Sequence, residues 1–290
     1  MSEFVLMTDS SCDLPENLAN EMDLTVLPLS YTQNGETMQN RLSASAGEIR
    51  RFYQRLREGI GAVTTGVNFD AAYTAMENVL KKGKDVLCLA FSSALSCTYA
   101  SFHSAAKELR EKYRDRKIYV VDTRSASLGQ GLLVYLTAAQ KKIGLSIDAV
   151  RDFAEKTKLK VCHLFTVDDL MHLRRGGRIS TAAAFVGSML SVKPIMHMDD
   201  EGRLIPLFNV RGRKRSISTL AELMSQQVEN AEEQTVFISH GDCEEDAKTL
   251  ADMIREKLHV KSFVTHFVGP VIGAHSGPGT LALFFVGKHR

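Results

Sequence analysis

The side chains with most chemistry in this sequence are hydroxyls, and they recur at the ends of apolar runs. Phe4–Met7 leads into Thr8, Ser10 and Ser11, and Val86–Phe91 leads into Ser92, Ser93 and Ser96. Residues 117–121 lead into Thr123, Ser125 and Ser127, while Thr64 and Thr65 precede a helical stretch. One such hydroxyl serves equally well as a helix N-cap. Recurrence after every strand favours a site that donates hydrogen bonds to a small polar or anionic group. A helix starting near Ser96-Cys97 adds unpaired N–H groups and a dipole that attracts an anion. His275 stands in a Gly/Pro-rich loop, where a histidine is less expected as core than on a helix face.

Several enzyme signatures are absent. A dinucleotide site needs G-x-G-x-x-G after the first strand, and Thr8–Asp13 has no glycine. Gly59-Ile60-Gly61 lacks the third glycine, and neither a P-loop nor a G-x-S-x-G elbow occurs. Asp9 would suit a phosphatase nucleophile, but the acid expected two residues on is Ser11. No histidine pair has metal spacing. The expectation is a polar cradle with no catalytic residue, no metal and no enzymatic activity of its own.

The elements that hold this cradle follow from periodicity. Ile49, Phe52, Tyr53 and Leu56 share one helical face over 46–58, and Phe69, Ala72, Tyr73, Met76, Val79 and Leu80 share another over 69–82. Further helices are expected over 97–113, 131–143 and, behind an N-cap at Ser146, 147–158. Val86–Phe91 is a continuous apolar run, as in a strand buried on both faces. Residues 24–40 read as a small β excursion turning at Asn34-Gly35. Strand–helix alternation over 1–158 predicts an α/β domain with a doubly wound parallel sheet. From 159 to 290 the rhythm changes to a mixed α+β domain. Its strands are expected near 160–166, 192–198, 203–209, 235–239, 262–267 and 281–286, with helices at 214–230 and 244–257.

The chain has 290 residues and a net charge of +2, which gives no support for nucleic-acid binding. Its five cysteines form no C-x-x-C, so reduced thiols are expected. The N-terminus lacks the basic start and long apolar core of a signal peptide. No apolar run is long enough to span a bilayer. A soluble, cytoplasmic protein is expected.

Four blocks carry a family resemblance. Thr8-Asp9-Ser10-Ser11-Cys12-Asp13-Leu14-Pro15 resembles the opening T-D-S-x-x-D-L-P of the DegV family. Ser92-Ser93-Ala94-Leu95-Ser96-Cys97-Thr98-Tyr99 is similar to its S-S-x-L-S-G-T-Y, with Cys97 in place of glycine. Leu173–Ser180 resembles L-x-x-G-G-R-I-S, and Gly269–Gly279 resembles G-P-V-I-G-x-H-x-G-P-G. The resemblance implies a two-domain fold, a Rossmann-like N-terminal domain and a C-terminal α+β domain, with a long-chain fatty acid between them and its tail in a buried tunnel. It also implies a carrier role. The bound acid is presented to a separate fatty acid kinase, and the acyl phosphate feeds phospholipid synthesis. The fatty acid is then a ligand, and no cofactor is implied.

Carried onto this sequence, the resemblance puts the carboxylate contacts on Thr65, Ser96 and His275, with Ser93 as a neighbour and Arg178 at the entrance. Thr65-Gly66-Val67-Asn68 stands where the family has T-S-Q-P. Phe165, Leu170, Phe185, Met189 and Ile195 are candidates to line the tunnel, and ordinary core packing is the alternative for each. The basic run Arg211-Gly212-Arg213-Lys214-Arg215 matches the family's kinase-contact region, with Arg211, Arg213 and Lys214 as candidates. Two other functions stay open: an enzyme acting on a small phosphate or carboxylate in the same crevice, and a lipid-responsive interaction protein.

Overall fold

A computed structural model describes residues 3–179 and 192–290. Its strands in the first half are β1 (Phe4–Asp9), β2 (Thr25–Leu27), β3 (Leu29–Gln33), β4 (Glu36–Asn40), β5 (Ala62–Thr65), β6 (Asp85–Ala90) and β7 (Ile118–Asp122). The second half carries β8 (Val161–Thr166), β9 (Val192–Met198), β10 (Leu204–Arg211), β11 (Thr235–His240), β12 (Ser262–Phe267) and β13 (Leu281–Val286). The helices are α1 (Glu16–Glu21), α2 (Ala46–Arg57), α3 (Phe69–Leu80), α4 (Thr98–Lys112), α5 (Leu128–Lys142) and α6 (Ile147–Thr157). They continue with α7 (Met171–Arg175), α8 (Arg213–Gln227), α9 (Glu244–Lys257) and α10 (Pro270–Ser276).

The first sheet is parallel, in the order β2-β1-β6-β7. Its strands alternate between two cores. Leu6, Leu87 and Leu89 face α5 and α6, whereas Met7, Val86, Cys88 and Ala90 face α3 and α4. Local chemistry sets the helix starts. Ser45 and Glu48 form a reciprocal capping box on α2, Asn68 caps α3, and Ser146 caps α6. Asn34 and Gly35 both take positive φ, as a tight hairpin between β3 and β4 requires.

The excursion over 24–40 is less self-contained than its sequence implied. Its first strand, β2, belongs to the parallel sheet. The hairpin β3–β4 recruits β5, residues read only as the approach to a helix, into a three-stranded antiparallel sheet. Four residues are too few to display a period, and the pairing that makes them a strand lies about thirty positions away.

The second half forms a six-stranded mixed sheet, in the order β10-β9-β8-β13-β11-β12. One face packs Leu164, Ile195, Ile238, Leu283 and Phe285 under α8 and α9. The other face turns Phe165, Met196, Phe237, Ala282 and Phe284 toward α5 of the first half. The halves also interleave. Phe267, Val268 and Val271 enter the core beside α2, and Tyr53 Oη donates to the Val268 carbonyl at 2.7 Å. Arg290 ties the two halves from the other end. Its guanidinium donates to the carbonyls of Arg124 (2.7 Å) and Lys158 (2.7 Å) and to those of Asp199 (3.0 Å) and Val161 (3.2 Å).

Candidate functional site

A cavity lies where the two sheets face each other. Its walls are largely apolar: Leu29, Phe91, Leu95, Phe165, Leu173, Met198, Leu204, Val268, Val271, Ile272, Ala282 and Phe284. Its polar lining includes Thr64, Ser96, His275 and Arg178, and also Ser127, His163, Ser239, Ser276 and Thr280.

Strand register decides which threonine enters this site. β5 pairs with β3 so that Thr64 opposes Tyr31 and Thr65 opposes Ser30. Successive side chains leave opposite faces of a strand, so only one of the two can face the cavity. It is Thr64, whose Oγ1 lies 2.8 Å from His275 Nε2. Thr65 is solvent-exposed and does not line the cavity. The threonine on the cavity wall is therefore Thr64, whereas the resemblance pointed to Thr65.

Ser96 lines the cavity just before α4. Its Oγ accepts from the Thr98 amide at 3.2 Å and lies 2.9 Å from Thr98 Oγ1. The start of this helix therefore faces the site, with the anion-attracting end of its dipole. Gly66 allows the close approach, since a Cβ there would sit 2.7 Å from Thr98 Oγ1 and 3.2 Å from Ser96 Oγ. Ser93 is exposed, and it faces away. Its Oγ donates to Asp122 Oδ2 at 2.5 Å and its amide donates to Asp122 Oδ1 at 3.2 Å. Asp122 ends β7, so this serine ties two strand ends together and leaves the cavity wall to Ser96.

His275 sits in the last turn of α10, close against α7. A Cβ on Gly176 would lie 2.2 Å from its Nδ1, so only glycine fits beneath the ring. Burial, and then the nearby Arg178 cation, push the imidazole down to about 4. At neutral pH the ring is uncharged and serves as a hydrogen-bond partner. Arg178 donates from Nε to the Leu95 carbonyl at 3.1 Å and from Nη1 to the Gly176 carbonyl. This fixes a cation on the cavity wall beside α7.

Among the tunnel candidates, Phe165 lines the cavity. Ile195 does not, because alternation along β9 turns it to the opposite face, under α8 and α9. Met198 of the same strand lines the cavity in its place. Leu170 is buried in the core behind the wall. Phe185 and Met189 lie outside the described residues. In the basic run, Arg211 and Lys214 are exposed. Arg213 turns inward, where Nε donates to Asp246 Oδ2 at 2.9 Å and Nη2 approaches Cys243 Sγ at 3.5 Å.

The opening motif serves the architecture. Asp9 is fully buried and accepts from the amides of Phe91 (2.8 Å) and Ser11 (3.1 Å). Asp13 is also buried, which pushes its carboxyl up to about 8. It accepts from Ser127 Oγ at 2.5 Å, and Ser127 in turn meets Ser239 of the other half at 3.1 Å. Ser127, one of the strand-end hydroxyls, lines the cavity, and so do Ser239, His163 and Ser276, which sequence reasoning had not singled out. The signal available for Ser276 was its place beside His275. Nothing local marked Ser239, which reaches the site through sheet pairing alone. Among the described residues no three His, Cys, Asp or Glu side chains form a metal-ligating group, and no helix is long and apolar enough to cross a membrane.

Comparison with known proteins places this geometry. The DegV family model, described as "Uncharacterised protein, DegV family", matches residues 3–288. A DegV domain-containing protein of Clostridium perfringens is 47% identical over 294 aligned positions, covering 100% of this chain and 99% of the relative. A DegV family protein of Thermus thermophilus, whose structure is described as showing fatty acid binding, superposes with a TM-score of 0.88 at 28% identity. That match covers 99% of this chain and 100% of the other. DegV of Bacillus subtilis, described as a fatty acid binding protein, superposes at 0.85 with 28% identity and the same coverage. From the whole-length match of sequence and fold, this chain belongs to the DegV family.

Proposed function

We propose that this protein binds a long-chain fatty acid, with the carboxylate at Thr64, Ser96 and His275 and the tail along the apolar walls. The observation that carries this reading is a largely apolar cavity into which the Thr64–His275 pair and Ser96, beside a helix N-terminus, bring hydrogen-bonding groups. The fatty-acid-binding relatives of the same fold support it.

The energetics suit such a ligand. Burying a methylene yields about 0.8 kcal/mol, so roughly fifteen contribute about 12 kcal/mol before ordering and association costs. Hydrogen bonds to a carboxylate add about 1.5–3 kcal/mol each. The tail dominates affinity, and the head group sets depth and orientation.

The protein acts as a carrier in the cytoplasm and has no catalytic machinery or cofactor of its own. It offers the carboxylate to a separate fatty acid kinase, which makes the acyl phosphate used in phospholipid synthesis. Arg211 and Lys214, exposed near the start of α8, are the side chains we assign to that contact; Arg213 supports them from within. Native mass spectrometry of gently purified protein tests the first claim: a co-purified fatty acid mass is expected, and an empty protein that takes up no added palmitate refutes it. Addition of a fatty acid kinase and ATP tests the second, since loaded protein that yields no acyl phosphate rules out presentation to a kinase.

A further inference from the structure

We propose that Thr98, buried behind the cavity wall, is a positioning residue that fixes the Ser96 hydroxyl as a hydrogen-bond donor. With the Thr64 hydroxyl, which His275 holds in the same role, it selects an ionised carboxylate over a head group that brings a donor of its own, such as an alcohol. The proposal rests on the fatty-acid reading above and deepens it by assigning the protons of that same site.

Thr98 is fully buried and does not line the cavity, so it can act on a ligand only through a neighbour. Its Oγ1 accepts from the Val67 amide at 3.3 Å and lies 2.9 Å from Ser96 Oγ. If Ser96 were the donor across the second contact, the Thr98 proton would be buried with no acceptor among the described residues. Folded proteins avoid that arrangement, so Thr98 donates and Ser96 accepts. Ser96 Oγ also receives the Thr98 amide at 3.2 Å. A hydroxyl oxygen has two lone pairs, and Thr98 fills both. Ser96 keeps only its own O–H, half-buried on the cavity wall.

His275 puts Thr64 in the donor state too. Its Nδ1 is buried and has no partner among the described residues, while its Nε2 lies 2.8 Å from Thr64 Oγ1. A proton on Nδ1 would leave a buried N–H orphaned, which is rarer than a bare acceptor. The proton therefore sits on Nε2, the ring donates to Thr64, and the Thr64 O–H is left for the cavity that it lines. The imidazole acts on the head group through that hydroxyl.

Arg178 joins the two hydroxyls. It donates to the carbonyl of Leu95, next to Ser96, and to that of Gly176, against which His275 packs. A guanidinium has no acceptor of its own. This stretch of wall presents two O–H donors and a cation. An ionised carboxylate meets them with lone pairs alone. An alcohol must also place a proton, and Ser96 has no lone pair left to take it.

Release rates of palmitate and hexadecan-1-ol are compared for wild type, Ser96→Ala, Thr98→Val, Thr98→Ser and the Ser96→Ala/Thr98→Val double variant. Valine keeps the branched shape of threonine and drops the hydroxyl, whereas serine keeps the hydroxyl. Thr98→Val should speed palmitate release roughly fivefold or more, as coupling between contacting residues allows. It should leave hexadecan-1-ol release within about twofold, so the preference for palmitate narrows. Thr98→Ser should restore the preference. In the Ser96→Ala background, Thr98→Val should change palmitate release by less than about twofold, because the hydroxyl that it positions is gone. Equal effects of Thr98→Val with and without the Ser96 hydroxyl, or on both ligands, show a structural role alone and overturn the proposal while leaving fatty acid binding intact. Wild-type protein that holds hexadecan-1-ol as tightly as palmitate also overturns it, even where Thr98→Val does not fold. Wild-type protein that takes up no palmitate defeats the fatty-acid reading, and the positioning role with it.

Discussion

Replacing Thr64 by valine should loosen the carboxylate end of the ligand, and replacing Thr65 by valine should not. Valine keeps the shape and β-branching of threonine and removes the hydroxyl. At position 64 that hydroxyl lies 2.8 Å from His275 Nε2 and lines the cavity. A hydrogen bond to a charged group contributes about 1.5–3 kcal/mol. At about 1.4 kcal/mol per factor of ten, palmitate should leave Thr64→Val about 10- to 150-fold faster. Part of that loss reflects a histidine nitrogen left without its partner. Thr65 is exposed, so its substitution should stay within about 0.5 kcal/mol, roughly a twofold change. Stopped-flow displacement of a fluorescent fatty acid measures the rates. The ¹³C shift of carboxyl-labelled palmitate reports whether the head group has lost a donor. If Thr65→Val accelerates release as much as Thr64→Val, the strand-register argument is wrong. If neither changes rate or shift, the carboxylate does not lie at this cluster.

Three further outcomes follow from the same geometry. His275 has a folded value near 4 against an ordinary 6.5, so between these pH values the unfolded chain binds the extra proton. Stability is full above pH 6.5 and falls toward pH 4, by at most about 3 kcal/mol; His275→Gln should flatten that limb in urea titrations across the window. Asp13 behaves in the opposite sense, because burial raises its carboxyl from 3.8 to about 8. The folded state retains a proton that the unfolded chain loses, so this residue's contribution falls as pH rises from 3.8 to 8. Asp13→Asn should gain stability relative to wild type across that range, since asparagine tolerates the positive φ of 51° and still accepts from Ser127. A wild-type-to-variant difference that does not move with pH would contradict it. Gly176→Ala places a Cβ where His275 Nδ1 now lies, so it should displace the imidazole. It should reproduce the Thr64→Val change in the ¹³C shift; an unaltered shift would show that the ring does not hold the carboxylate.

Much of this architecture was readable without coordinates. The α2 and α3 helices follow from one apolar face each, and their caps at Ser45 and Asn68 are local chemistry. The hairpin at Asn34-Gly35 and most of the strands fall near where apolar runs and turn residues placed them. Even the polar end of the cavity was foreshadowed by hydroxyls following the strands, Ser96 among them, and by His275 in its glycine-rich segment. These are short-range signals, carried by a dozen residues or fewer.

What the tertiary structure decided is which face each candidate presents. Thr64 rather than Thr65, and Met198 rather than Ile195, meet the cavity because pairing with distant strands sets the pleat. Ser93 leaves the site for Asp122 at another strand end, and Arg213 turns in to Asp246 on a neighbouring helix. Sequence determined the elements, the hydroxyl-rich strand ends and the family resemblance. Only the fold could choose among adjacent side chains, since one step along a strand reverses direction and the partner that fixes it lies far away in the chain.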